Sequence, residues 1–194
     1  MSAHTSFKIG GPADLFASVK SAEETAELIR LARSLGVAYM VMGNGSNMLV
    51  GDGGIRGLVI QIGKNIADVA VDGNMITAGA GAMMSKVAAV AARASLSGFE
   101  PLSGIPGTLG GAVYMNAGAY GGEMKNVVKT VTYIDDNGDL HTVGNAECGF
   151  GYRHSVFSDG GKYIVSAVLE LQVGDERTIR AEMDEYSRRR SEKQ

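Results

Sequence analysis

Apolar residues along the chain fall into short runs separated by glycine-rich turns. Leu15–Val19 reads as a strand. Ser21 then opens a helix through a capping box, its hydroxyl accepting from the Glu24 amide while the Glu24 carboxylate reaches back. Leu28, Ile29, Leu31, Ala32 and Leu35 give that helix an apolar face, and Gly36 a stop. Val37–Met42 is continuously apolar, as a buried strand would be, and runs into Gly43-Asn44-Gly45-Ser46-Asn47. Leu58–Ile62 is a further strand. Val69–Val71 and Met75–Ala78 flank Asp72-Gly73-Asn74 as a hairpin, and the alanine-rich stretch Met83–Ala94 is helical by propensity.

The second half changes character. Gly98–Gly122 is crowded with glycine yet carries Ile105, Leu109, Val113, Tyr114 and Met115, so it reads as an ordered loop wrapped against something rather than a polar linker. Val127–Ile134 and Leu140–Val143, joined by Asp135-Asp136-Asn137-Gly138-Asp139, predict a hairpin. Tyr163–Val173 predicts a long strand, and Thr178–Lys193 a charged helix ending in Arg188-Arg189-Arg190. Helices and hairpins without strict alternation predict an α+β fold. The chain is expected to form two lobes that divide between residues 63 and 80, approximately 1–70 and 71–194.

Composition narrows the function classes. Eighteen Lys and Arg against twenty-one Asp and Glu leave a net charge of −3, without the basic surplus that nucleic-acid binding requires. No apolar run reaches the ~20 residues of a membrane span, and Met1–Pro12 lacks the layout of a signal peptide. One cysteine cannot form an internal disulfide, which makes the cytoplasm the expected compartment. Glycine is the outlier: 28 of 194 residues is about twice the usual ~7%.

Three glycine-rich segments could carry chemistry. Gly43–Met48 follows a strand, and its closely spaced glycines let backbone amides approach a phosphate while Ser46 and Asn47 add side-chain donors. It lacks the last glycine of the Rossmann pattern and the Gly-Lys-Ser/Thr of a P-loop, so an inter-strand loop fits this segment equally well. Gly79-Ala80-Gly81-Ala82-Met83-Met84 also ends in Met, and a tight strand-to-helix connection explains it better. The third, Ser103 through Glu123, has small residues along its length that expose main-chain N–H groups to a long ligand, with hydroxyls and the Asn116 amide for orientation. A bound ligand would supply the reason to order so flexible a stretch, since glycine loses the most entropy on folding.

Four motifs then occur in order: His4-Thr5-Ser6-Phe7-Lys8-Ile9-Gly10-Gly11-Pro12-Ala13-Asp14, Gly43-Asn44-Gly45-Ser46-Asn47, Gly104-Ile105-Pro106-Gly107-Thr108 and Gly151-Tyr152-Arg153-His154-Ser155-Val156-Phe157. Over essentially the whole chain they resemble the UDP-N-acetylenolpyruvoylglucosamine reductases, flavoenzymes of bacterial peptidoglycan precursor synthesis. The resemblance implies a two-lobed FAD-binding domain of the vanillyl-alcohol-oxidase (PCMH) type over residues 1–194. It implies noncovalent FAD held by Gly43, Asn44, Gly45, Ser46, Asn47 and Met48 at the pyrophosphate. Ser103, Gly104, Ile105, Pro106, Gly107, Thr108, Gly110, Gly111, Asn116, Gly118 and Ala119 would line the rest of the cofactor. It further implies NADPH as reductant and a UDP-sugar enolpyruvyl ether as substrate, with hydride passing from reduced flavin to C3 and an enolate-like charge developing at C2. Arg153 matches the family's catalytic arginine, and a permanently charged planar guanidinium suits a carboxylate or enolate. The family's catalytic Ser and Glu lie in a C-terminal substrate domain that would begin where this chain stops. The chain is therefore expected to bind FAD without completing turnover. Another FAD-linked oxidase, or a flavin-binding module without catalysis, are the competing readings.

The remaining residues take plain roles. Cys148 has no CxxC partner or adjacent base and reads as a small structural residue. His4, His141 and His154 lack metal-ligand spacing, so no metal site is expected. His154, in a strand, would point away from Arg153. The methionines read as flexible core filler, with Met48 and Met115 candidates to touch the flavin. Arg188–Arg190 reads as a solvated helix end interacting with the dipole, or as the connection to a further domain. Oligomeric state is not legible.

Overall fold

The computed structural model describes residues 1–192. In chain order the strands are β1 Ala13–Val19, β2 Tyr39–Met42, β3 Ile55–Ile62, β4 Val69–Asp72, β5 Met75–Gly79, β6 Leu96–Ser97, β7 Gly118–Ala119, β8 Gly122–Glu123, β9 Val128–Asp135, β10 Leu140–Gly144, β11 Lys162–Glu170 and β12 Gln172–Val173. The helices are α1 Ala22–Ser34, α2 Met84–Arg93, α3 Leu109–Tyr114 and α4 Glu176–Ser191. Lys193, which the sequence pattern places at the end of α4, lies outside the described residues.

β1, β3 and β2 form a parallel three-stranded sheet with β3 in the middle, paired Leu15 to Leu58 on one side and Tyr39 to Leu58 on the other. Parallel strands need a crossover, which α1 supplies between the two outer strands β1 and β2. Ser21 caps α1 as its sequence predicts, accepting from Glu24 N at 3.2 Å. The Glu24 carboxylate takes the N–H of Lys20, one residue before the cap, at 2.6 Å. The second sheet is antiparallel, in the order β10-β9-β11-β5-β4. The main apolar core runs through both sheets, from Val19, Ile29 and Ile60 to Ile76, Val131 and Leu169, with a smaller cluster around Met42, Val50 and Val59. Both hairpins expected from their turn residues, β4–β5 and β9–β10, are present.

The sheets are also clasped by polar groups. The turn after β9 docks on α1: Arg30 donates to the carbonyls of Asn137 (3.0 Å) and Gly138 (2.7 Å), and Arg33 pairs with Asp136 at 3.2 Å. Tyr39 of β2 and Tyr163 of β11 both donate to Asp136 Oδ1, at 2.6 and 3.0 Å. The Tyr39 hydrogen bond, with those of Tyr163 and the Arg33 charge, holds the Asp136 carboxyl below its ordinary range. Burial pushes both phenols up.

Several elements differ from the expectation, each for a tertiary reason. On α1 the inward residues are Thr25, Ala26, Ile29 and Ala32, whereas Leu31 and Leu35 are exposed. The 3.6-residue period cannot turn 31 and 35 to the same side as 25, 29 and 32. The strand expected over Tyr163–Val173 breaks at Leu171, whose N–H goes to Asn74 O, and its last two residues pair instead with β6. Within the expected loop Gly98–Gly122 lies α3, whose Gly110 and Gly111 disfavour a helix. Burial of Leu109, Ala112 and Val113 overrides that propensity.

Candidate functional site

The first glycine turn, Gly43–Met48, leaves β2 and is shaped by the N-terminal segment around it. Ser6 N donates to Gly45 O at 3.2 Å, and Gly45 has φ +63° with the His4 carbonyl standing where a Cβ would go, so a side chain there would meet both backbone strain and a collision. The His4 ring packs against Phe16, centres 4.0 Å apart and planes tilted by 31°. His4, Thr5 and Ser6 thus pack against the turn.

The long stretch Ser103–Glu123 is held by the glycine-rich segment Gly79–Met84. Its carbonyls of Ala80 and Ala82 accept from Gly110 and Leu109 at 2.9 and 2.8 Å, and Met84 N donates to Gly107 O at 3.1 Å. That segment is a scaffold, consistent with the tight strand-to-helix connection read from its sequence.

The two stretches then interlock. Ser46 Oγ donates to Pro106 O at 3.3 Å, and Asn47 Nδ2 lies 2.9 Å from Met115 Sδ. A Cβ at Gly43 would collide with Thr108 Oγ1, and one at Gly107 would stand 2.6 Å from Ser46 Oγ. Each loop therefore has glycine where the other presents a hydroxyl. Among the described residues, the N–H groups of Asn44, Gly45, Ser46, Asn47 and Met48, and those of Gly104, Gly107 and Thr108, donate to no protein acceptor. Successive unpaired backbone donors of this kind form a nest suited to an anion such as a pyrophosphate. Exposed apolar groups sit on the same elements: Leu49 after the first turn, Met83 bridged to Thr108, and Tyr114 at the end of α3. Free donors beside apolar surface fit a dinucleotide that joins a diphosphate to a flat ring system.

Not every residue expected to line a cofactor is free to do so. Ser103 Oγ donates to Glu100 O at 2.7 Å. Gly110 gives its N–H to Ala80 O, and a Cβ there would lie 2.8 Å from Ala80 Cβ, so its small size serves packing. Ile105 packs on the core. The Asn116 amide, expected to orient a ligand, is occupied entirely within the protein. Asn44, Gly104 and Gly111 are exposed, and Met48 is half-buried in a small apolar cluster with Met42 and Val50.

Gly118 and Ala119 belong to a separate cleft of about 180 Å³, lined with Asn116, Tyr120, Gly121, Gly122, Glu123, Tyr152 and Arg153. Arg153 does not lie in a strand, as its sequence context had implied. Gly151 and His154 exchange backbone hydrogen bonds at 3.0 and 3.3 Å, closing a β-turn with Arg153 at φ +54°. A glycine before and a buried anchor after make the turn: Ser155 Oγ donates to Tyr114 O at 2.6 Å, and Phe157 is fully buried. His154 points to Ser158 Oγ, 2.9 Å from Nδ1. Asn116, Tyr120 and Gly121 in the same cleft share the left-handed backbone. Such strain is tolerated where surrounding contacts over-determine it, and it gathers at functional sites.

Sequence reasoning missed the far wall of this cleft. Glu123 lies across from Arg153, its carboxyl held below the usual range first by Lys125, then by Asn116, with the Arg153 charge adding to them. Tyr120 stacks on Tyr186 of α4 with ring centres 4.8 Å apart, and Arg190 lies over the Tyr120 ring. Arg190 is thus no solvated helix end, in contrast to Arg188 and Arg189, which pair with Glu185. Only the tyrosines' number marks this in sequence, and number carries no address. Cys148 is buried, donates to Gly144 O, and has its thiol pushed up to about 11 by burial, which makes it a poor nucleophile.

The profile of a family described as "FAD binding domain" matches residues 13–144. The chain is 43% identical over 194 residues to UDP-N-acetylenolpyruvoylglucosamine reductase of Clostridioides difficile (strain 630), covering all of this chain and 64% of that protein. The chain therefore spans less than two thirds of that relative's length. A crystal structure of the corresponding reductase from Thermus caldophilus superposes with a TM-score of 0.85 at 36% identity, covering 98% of this chain and 67% of that one. A 6-hydroxy-D-nicotine oxidase from Arthrobacter nicotinovorans superposes at 0.67 with 19% identity, over 84% of this chain and 37% of that one. At that identity the likeness speaks for the fold alone, an α+β FAD-binding domain of the vanillyl-alcohol-oxidase type.

Proposed function

The chain belongs to the FAD binding domain family, among its UDP-N-acetylenolpyruvoylglucosamine reductases, and from that premise we propose that it is the flavin-holding part of an NADPH-dependent reductase acting on a UDP-sugar enolpyruvyl ether in the cytoplasm. The observation that supports this placement of the cofactor is the interlock of Gly43–Met48 with Pro106–Met115, which brings two stretches with unpaired N–H groups into contact. In this reading the amides of residues 44–48 hold the pyrophosphate noncovalently. Gly107 and Thr108 continue the line of donors, and Met115 and Tyr114 offer apolar surface to the ring system. Bound FAD supplies hydride transfer, which no side chain of this protein can perform.

Arg153 is the residue proposed to act on the substrate. Its guanidinium makes no hydrogen bond or ion pair among the described residues, so its five donors remain available. Placed at the edge of the cleft, it holds the substrate carboxylate and stabilises negative charge as it develops at C2. A preorganised donor of this type contributes about 3–4 kcal/mol. Ser155 takes no part in proton delivery to C2, because its hydroxyl is buried on Tyr114 O.

The visible spectrum of the purified protein tests this reading. After incubation with FAD and removal of excess, flavin absorbance should remain with the protein, shifted from that of free FAD. A colourless protein would overturn it. The chain by itself should not oxidise NADPH in step with the enolpyruvyl substrate.

A further inference from the structure

The Asn116 side chain is only 2% exposed as a residue, and every one of its polar hydrogens and its oxygen is used. Nδ2 donates to Gly151 O and to Glu123 Oε2, each at 2.9 Å, and Oδ1 accepts the Lys125 N–H at 2.9 Å. Asn116 therefore ties the two walls of the 180 Å³ cleft together: Gly151 starts the turn that carries Arg153, Glu123 ends the β7–β8 hairpin opposite, and Lys125 lies in the single 3-10 turn that follows it. Its own backbone sits at φ +43°, a region asparagine tolerates better than most residues.

Arg153 needs such a tie. With no side-chain partner among the described residues, its guanidinium is located only by the turn beneath it, and that turn holds a non-glycine residue at φ +54°. Strain of this kind persists only under several independent restraints. Three are present: the Gly151–His154 exchange, the Ser155 anchor on Tyr114, and the Asn116 bond to Gly151 O. Of these, only Asn116 reaches across the cleft.

We propose that Asn116 is a positioning residue for Arg153, acting through the Gly151 carbonyl and touching neither cofactor nor substrate. What Arg153 does rests on the function proposed above; that Asn116 sets its position does not. Two substitutions test it. Asn116→Gly removes the clamp while permitting the left-handed backbone, and Asn116→Asp keeps the side-chain volume and the Oδ1 acceptor but loses both donors. In this chain, hydrogen exchange at the Gly151 and His154 amides should accelerate at least tenfold in either variant, with β9 and β11 amides unchanged. Unaltered exchange at those two positions would overturn the proposal. In a complete reductase carrying this domain, reoxidation of the flavin by the enolpyruvyl substrate should slow about a hundredfold. FAD content and flavin reduction by NADPH should stay within twofold. Loss of FAD in proportion to the lost rate would also overturn it, since Asn116 would then be a cofactor ligand. If Asn116→Gly fails to fold, Asn116→Asp carries both readouts. If the parent protein itself binds no FAD, the functional reading fails, and the exchange measurement still decides the clamp.

Discussion

Replacing Gly43 with alanine probes the interlock of the two loops, because the backbone there is not left-handed and alanine adds no φ strain. The new methyl would collide with Thr108 Oγ1, while Thr108 Cβ and Cγ2 would stand at ordinary distances of 3.6 and 3.7 Å. The conflict is thus with one hydroxyl. Thr108 is 6% exposed and bonded through its neighbours to Gly79–Met84, so it cannot simply swing away. Overpacking of this kind costs about 1–3 kcal/mol, offset by about 0.4–1 kcal/mol from the stiffer unfolded chain. Gly43→Ala should therefore destabilise the protein by about 1–2 kcal/mol in urea unfolding without FAD. Thr108→Ala removes the offending oxygen, so the double variant should recover most of that loss, with a coupling of at least ~1 kcal/mol between the sites. Thr108→Val leaves a methyl where the oxygen was and should not rescue. Additive effects of Gly43→Ala and Thr108→Ala would refute the claim that the loops meet at this point.

Other expectations follow from the same geometry. Gly45→Val should cost FAD retention at least tenfold by equilibrium dialysis, since φ +63° and the His4 carbonyl both exclude a side chain. Arg153→Ala in a complete reductase should slow substrate reduction about 10²–10³-fold, as for loss of one oriented charge-stabilising donor, and leave flavin absorbance in place. The depressed Asp136 carboxyl stabilises the native state fully above the unfolded aspartate value of about 3.9 and loses that contribution as pH falls through its lower native value. In Asp136→Asn, urea unfolding from pH 7 down to 3 should accordingly show a shallower decline than in the parent. Cys148, buried with its thiol raised to about 11, should resist a thiol reagent at pH 8 in the native protein and react once unfolded.

How much was legible in the sequence depended on whether the signal was local. The Ser21 cap and the β4–β5 and β9–β10 hairpins follow from residues a few positions apart, and they stand where their sequence puts them. The glycine loops were recognisable as ligand-shaped, but not that Gly43 and Gly107 each make room for a hydroxyl on the other, because that needs residues more than sixty apart in sequence. The Asn116 amide is a case of the same kind: its glycine-rich surroundings suggest a ligand donor, and only the fold shows that Gly151, thirty-five positions on, takes one of its hydrogens. Leu31 and Leu35 were misplaced because an apolar residue is not obliged to face inward, and α1 offers Thr25 and Ala26 to the core instead. No local propensity puts a β-turn with left-handed Arg153 where an extended strand was expected; long-range anchors at Ser155 and Phe157 impose it.

The central claim is that one cofactor lies against both glycine-rich stretches at once. Amide resonances recorded while FAD is titrated into the isotope-labelled protein address it residue by residue. The account predicts that the N–H signals of residues 44–48 and of Gly104, Gly107 and Thr108 shift together, with the same dissociation constant. Binding of FAD that moves only one of the two sets, or neither, would contradict it.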